Sequence, residues 1–221
     1  MAAPGTTGGG DRRLVPAGGS SGRTHQEHVE PSGRTSVRLV SRNAFRPAGV
    51  GEAGRSVQLL EQRWLNLAAL RLPDFRDECH GAGDAGAVGE SDEELLREAT
   101  VAATDIVIAS PLYWYSVSAH TKRYRDYWSK WLRTPGPDFR AKMAGRTLWG
   151  VTAMAHAGEG AAEPLVLTLH HTAAYLGMRF GGVLLGHGTR PGQVLADEDA
   201  VLRAKTFFTQ SPPQARFPWA S

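Results

Sequence analysis

Five residues, Asp105-Ile106-Val107-Ile108-Ala109, constrain this chain more than any other stretch. After the aspartate the run is apolar at every position. A strand apolar on both faces belongs inside a parallel sheet covered by helices. An amphipathic stripe precedes it: Leu95, Leu96, Ala99 and Ala103, opened by Ser91-Asp92-Glu93-Glu94, a capping-box sequence that starts a helix ending near Thr104. A second stripe follows over 119–132, with Tyr124, Tyr127, Trp128 and Trp131 on one face and Lys122, Arg123, Arg125 and Asp126 mostly on the other. The alternation then continues. Thr147–Met154 predicts a strand, and Pro164 opens a helix with the stripe Leu165, Leu169, Thr172, Ala173 and Leu176, stopped by Gly177. Met178–Leu185 predicts the last strand and Asp199–Phe208 a closing helix. The rhythm from residue 91 is α-β-α-β-α-β-α, which implies a parallel sheet with right-handed crossovers. Ligands of such open sheets sit beyond the carboxyl ends of the strands. The loops after Ala109 and after Met154 both lie there.

Upstream the pattern thins. Residues 1–33 are rich in Gly, Ser, Thr, Pro and Arg and lack apolar periodicity, so loop or disorder is expected. Residues 34–46 predict a helix, with Val37, Val40 and Ala44 at helical spacing and Pro47 as its stop. Val57–Leu67 predicts a strand running into a turn, and the polar, Gly-rich stretch 73–91 a loop. The organisation expected is a poorly ordered or degenerate segment 1–33, one domain over 34–210 and a tail over 211–221.

Composition removes several classes. The 221 residues hold one cysteine, Cys79, which excludes an intrachain disulfide or a multi-cysteine metal centre. No run approaches the ~18 apolar residues of a membrane span, and no apolar core of a signal peptide opens the chain. A cytoplasmic location is expected. The net charge of +3 comes from scattered arginines rather than from a stripe, so neither a nucleic-acid nor a membrane partner is expected.

The chemistry concentrates in Ser110-Pro111-Leu112-Tyr113-Trp114-Tyr115-Ser116, three consecutive aromatics directly after a buried strand. Three aromatics in a strand-end loop cannot all face the core. One at least should stand exposed at the ligand edge, where a flat ring would stack. A hydrophobic plug or an oligomer contact is the competing reading, and residue chemistry alone leaves both open. His120, His170 and His171 have no ligand partners at metal-binding spacing, and no metal site or catalytic acid or base is expected.

The stretch Ile108–Lys122, with its Ser-Pro-x-Tyr step, resembles the NADPH-dependent FMN reductase family and related flavodoxin-fold quinone reductases. Thr172-Ala173-Ala174-Tyr175-Leu176-Gly177-Met178 resembles the family's late helix and the turn into its last strand. Trp64–Pro73 resembles its second strand and following loop. The resemblance covers about residues 56–190. It implies a flavodoxin-like α/β fold, an open parallel sheet in a three-layer α/β/α sandwich. It also implies non-covalent FMN, NAD(P)H as co-substrate, a small-molecule acceptor and a homo-oligomer, for which helix 119–132 would offer an aromatic surface. Pro111, Leu112, Tyr113, Trp114, Tyr115 and Ser116 would border the isoalloxazine ring, and the loop Ala155–Gly160 would close its other side. His156 in that loop reads as an exposed histidine or as a donor to a quinone oxygen.

The family opens with a strand, a Gly-Ser-x-Arg-type loop and a helix whose N-terminus binds the FMN phosphate. Here Arg12–Pro16 is a poor strand, broken by proline. Of two similar tetrads, Ser32-Gly33-Arg34-Thr35 precedes the expected helix, so Ser32, Arg34, Thr35 and Ser36 are the phosphate candidates. The connection would run to about 17 residues, long for its kind. An inserted loop, a degenerate flavin site and an opening that is not the gene's natural text all fit this composition. The reading of choice is an FMN-dependent NAD(P)H oxidoreductase acting on flavin, quinone or a similar aromatic. The alternatives are an electron carrier, disfavoured by the positive charge, and an inactive relative with a damaged phosphate loop.

Overall fold

The computed structural model describes residues 36–44, 59–76, 91–136, 138–155 and 158–219. These form β1 (Ser36–Ala44), β2 (Leu59–Asn66), α1 (Glu93–Ala102), β3 (Asp105–Ala109), α2 (Ala119–Trp131), α3 (Phe139–Met143), β4 (Thr147–Met154), α4 (Glu163–Tyr175), β5 (Arg179–His187) and α5 (Glu198–Phe207). The expected rhythm from residue 91 is present in order, with α3 as an addition. The sheet order is β2-β1-β3-β4-β5, the strand order of doubly wound flavodoxin-like sheets, with β1 running against both its neighbours.

The region before residue 91 departs from expectation. The helix expected over 34–46 is strand β1. Its residues Ser36–Val40 pair antiparallel with Ala109–Asp105 of β3, and Ser36–Ser41 pair antiparallel with Asn66–Glu61 of β2. Val37, Leu39 and Val40 satisfy helical and alternating spacing alike. Backbone pairing on two edges decides between them, because so short a helix is marginal by itself. β3, β4 and β5 are mutually parallel, and β2, antiparallel to β1, points the same way. The expected parallel sheet is therefore parallel in direction for four strands, with β1 alone reversed. The weak strand expected at 12–16 lies outside the described residues.

Alternation sorts the strand residues into two layers. Leu39, Leu65, Ile106, Ile108 and Leu148 face a core shared with Leu96 of α1, the α2 aromatics, and Leu165 and Leu169 of α4. On the other face Trp149 packs edge-on against Phe207 and Phe208, with centroids 5.3 and 5.4 Å away. Gly181 makes that possible: a Cβ there would stand 2.0 Å from the Trp149 ring. Gly177, at φ 65°, turns the chain out of α4 as its sequence position implied.

Three local expectations are corrected. The capping box at Ser91 does not form: Ser91 Oγ accepts from Glu93 N, and Glu94 pairs with Arg97 instead of returning to the backbone. Asp92 is drawn off to Arg71, whose backbone N–H donates to Oδ2 at 2.7 Å, joining the end of the β2 loop to α1. The aromatic face of α2 is no oligomer surface, because Tyr124, Tyr127, Trp128 and Trp131 are all at most 4% exposed. Arg125 does not sit on the solvent face: its guanidinium donates to Thr172 Oγ1, and burial holds its pKa below the usual arginine value. The C-terminal segment also packs back on the sheet, Ala215 N donating to Met178 O and Phe180 N to Pro213 O.

Candidate cofactor and substrate site

The four co-directional strands deliver their carboxyl ends to one edge. Asn66, Ala109, Met154 and His187 end there, and Ser36, paired with both Asn66 and Ala109, begins there. Between β2 and β3 that edge is thus occupied by the start of β1 and the loop leaving β3.

That loop is built from its base upward. Ser110 is buried, and its Oγ accepts from Ser118 N at 2.9 Å and donates to Pro111 O at 3.0 Å. Ser118 is the N-cap of α2, its Oγ accepting from Thr121 N at 3.3 Å. Leu112 packs against the core. Between these anchors Tyr113 and Ser116 exchange two backbone hydrogen bonds of 2.9 and 3.0 Å, closing a two-residue turn. Its central residues, Trp114 and Tyr115, have φ of 48° and 64°. Left-handed backbone costs a side-chain-bearing residue about 1–2 kcal/mol. Such turns normally recruit Asn-Gly, not two aromatics.

All three rings are uncovered: Tyr113 is 58%, Trp114 93% and Tyr115 54% exposed. The plug alternative for this loop is therefore excluded within the chain. Pro111 is half-buried, and Ser116 and Ala155 are exposed. Ser36 stands at the same edge, in a strand rather than at a helix start. Ser32, Arg34, Thr35 and His156 lie outside the described residues.

The edge also holds a pair that the sequence reading missed. His187 Nδ1 lies 3.0 Å from Asp197 Oδ2, which accepts the His187 backbone N–H at 2.9 Å as well. Asp197 Oδ1 accepts from Ala200 N at 3.0 Å and so caps α5. The Ala200 N–H, then the His187 backbone and ring, hold the Asp197 carboxyl down at about 2. Asp197-Glu198-Asp199 ahead of an apolar stripe was the available cap signal. Nothing local tied it to a histidine ten residues upstream. A hollow of about 460 Å³ between Ser129, Arg133, Arg140 and Tyr175 lies at the opposite edge, where α2 and α4 end. It is remote from every strand's carboxyl end, and we assign it no part in the site. Among the described residues, no helix is long and apolar enough to cross a membrane.

Residues 50–207 match the model of a family described as having the flavodoxin-like fold. A Bacillus subtilis protein that carries the name of an NAD(P)H-dependent FMN-containing oxidoreductase, YwqN, is 28% identical over 160 residues, covering 72% of this chain and 88% of its own. The solved structure of the Trp repressor binding protein from Bacillus subtilis superposes with a TM-score of 0.51 at 29% identity, over 54% of this chain and 78% of that one. The family match opens at residue 50, after β1. The resemblance read from the sequence alone opens close by, at about residue 56.

Proposed function

The chain belongs to the flavodoxin-like-fold family, and from that premise we propose that it is an FMN-dependent oxidoreductase. In this reading it takes reducing equivalents from NAD(P)H and passes them to a flavin, a quinone or a similar aromatic acceptor. One observation carries the reading: the turn Tyr113–Ser116 holds three uncovered aromatic rings immediately beyond the carboxyl end of the buried strand β3. The name carried by the Bacillus subtilis relative supports it.

The residues present fit a flavin at its ring end. Tyr113, Trp114 and Tyr115 offer ring faces, and Pro111, Leu112 and Ser116 complete the border. Ala155 and His156 would close the other side. Bound FMN supplies the hydride chemistry, and the protein supplies orientation and electrostatics. Ser110 and Ser118 secure the base of the turn before any ligand arrives, which lowers the ordering cost of binding. The phosphate end differs from the sequence expectation. Because 36–44 is a strand, no helix dipole assists there. Ser32, Arg34 and Thr35 directly precede Ser36, and their hydroxyls and guanidinium would meet the phosphate dianion as charge-assisted partners. The acceptor is a small molecule, with neither nucleic acid nor membrane as partner. The cytoplasm and a homo-oligomeric state complete the proposal.

Purified protein is expected to take up FMN, seen as a visible flavin band, and to oxidise NAD(P)H only when FMN and a quinone or flavin acceptor are present. A chain that takes up no FMN overturns the proposal. Uptake without NAD(P)H oxidation would favour the electron-carrier reading.

A further inference from the structure

Helix α5 packs on the sheet with one stripe and leaves the opposite stripe bare. Ala200 is buried, and Phe207 meets Trp149 edge-on at 5.3 Å, so these two turn inward. With about 3.6 residues per turn, Glu198, Leu202 and Lys205 then share the stripe directly opposite. Leu202 is 63% exposed, and Val201 beside it is 38% exposed. Leu195, on the short turn Gln193–Ala196 that leads into α5, is 59% exposed. Glu198 and Lys205 are exposed as well, and neither has a side-chain partner among the described residues. Asp197 differs, because its two oxygens are taken by His187 and by Ala200 N. One exposed leucine needs no account. An apolar strip framed by one free acid and one free base at matched distances does.

We propose that this outward face of α5 is a self-association surface, on which a second copy of the chain docks with its own α5 antiparallel. The charges choose both the occupant and its direction. At about 1.5 Å of rise per residue, Leu202 lies about 6 Å along the axis from Glu198 and about 4.5 Å from Lys205. A two-fold axis through Leu202 therefore sets leucine on leucine and brings Glu198 nearly level with the partner's Lys205, and the reverse contact forms by symmetry. A parallel arrangement would set acid on acid and base on base. The antiparallel one also opposes the two helix dipoles. The proposal rests on the geometry of α5 and holds with or without a flavin. It gives the homo-oligomer of the functional reading a surface, which the buried aromatic face of α2 does not provide. A contact of one helix per copy falls below the ~1,200 Å² of stable interfaces, so the association is weak and concentration-dependent.

Charge exchange tests it, read by sedimentation velocity of the full chain at low salt over a concentration series. The parent is expected to self-associate, and Leu202→Glu, which sets two carboxylates on the axis, to stay monomeric. Glu198→Lys and Lys205→Glu each place like charges opposite one another twice and should weaken association at least about tenfold. The double variant carrying both exchanges should recover it. An equimolar mixture of the two single variants should associate although neither does alone, because each then meets its opposite across the axis. All these side chains face solvent, so melting temperatures should stay near the parent's, which separates lost docking from lost folding. A parent that is monomeric throughout overturns the inference and leaves the face to another partner. A dimer indifferent to Leu202→Glu and to both reversals overturns it too, since another surface then holds it. So does a folded double variant, or a mixture, that fails to recover association. FMN uptake is measured on the same samples. A parent that dimerises through α5 yet takes up no FMN would sink the functional reading alone.

Discussion

Two aromatic clusters lie within twenty residues of each other and meet opposite fates. Tyr124, Tyr127, Trp128 and Trp131 on α2 are buried: Tyr124 meets Trp128 and Trp131 edge-on at centroid distances of 5.3 and 6.1 Å, Tyr127 lies tilted to Trp131 at 6.3 Å, and Phe139 closes the cluster. Tyr124 donates or accepts at Thr100 Oγ1, 2.8 Å away, and burial raises its phenol pKa. Trp131 Nε1 donates to Glu93 at 3.1 Å, joining α2 to α1. Tyr113, Trp114 and Tyr115, just before the helix, face solvent. The difference is spacing. Intervals of three and four place rings on one helical stripe that a sheet can cover. Three in succession after a strand end cannot share a face. The first set holds the fold, and the second is free for a ligand.

The largest effect expected on that division is on the buried side. Trp131→Ala should cost about 3–5 kcal/mol by loss of transfer energy and a residual cavity. Denaturant unfolding measures it, and a loss under 1 kcal/mol would remove α2 from the core role assigned to it. Next comes the partition between ring and phosphate. If Ser32, Arg34, Thr35 and Ser36 contact the phosphate, FMN should bind at least about a hundredfold more tightly than riboflavin, as two or three charge-assisted bonds imply. Equal affinities would mean the exposed rings hold the flavin alone and the phosphate assignment fails. Replacing Tyr113, Trp114 and Tyr115 together by alanine should weaken FMN binding at least about tenfold without lowering stability. A folded triple variant with parental affinity would move the ring site elsewhere.

The smallest effect concerns the same edge at β5. Asp197 has its carboxyl held at about 2 against a usual 3.8. A depressed acid contributes stability above its unfolded pKa and loses it as pH falls through its folded pKa. Asp197→Asn should therefore melt slightly lower than the parent at neutral pH, and the gap should close between about pH 4 and pH 2. A gap constant across that range would mean the carboxylate's charge does not act on folding.

Much of the molecule is legible without coordinates. From Ser91 onward each segment has a single consistent period, and its boundaries carry their own signals: Pro164 in the first turn of α4, Gly177 after its end, and a short apolar run too dense for anything but a covered strand. The aromatic loop was legible for the same reason, since no regular element accommodates Tyr113-Trp114-Tyr115 on one buried face. The segment 36–44 was not. Nine residues carrying Val37, Leu39 and Val40 fit either period, and the choice depends on strand partners as far away in sequence as Leu59–Asn66 and Asp105–Ala109. The reversal of β1 follows from those partners as well, because strand direction is set by pairing and leaves no trace in composition.

The same division runs through the edge that would bind ligand. Local chemistry determined that the β3 loop would be exposed, aromatic and placed at the carboxyl end of a buried strand. Tertiary structure decided what stands beside it. His187 meets Asp197 ten positions further along the chain, and Ser36 arrives beside the carboxyl end of β3 in a strand instead of a helix. Periodicity is a property of neighbours along the chain and can be read from them. Pairing between distant segments is settled only when the whole sheet closes, because each backbone group takes the partner that the completed fold brings within reach.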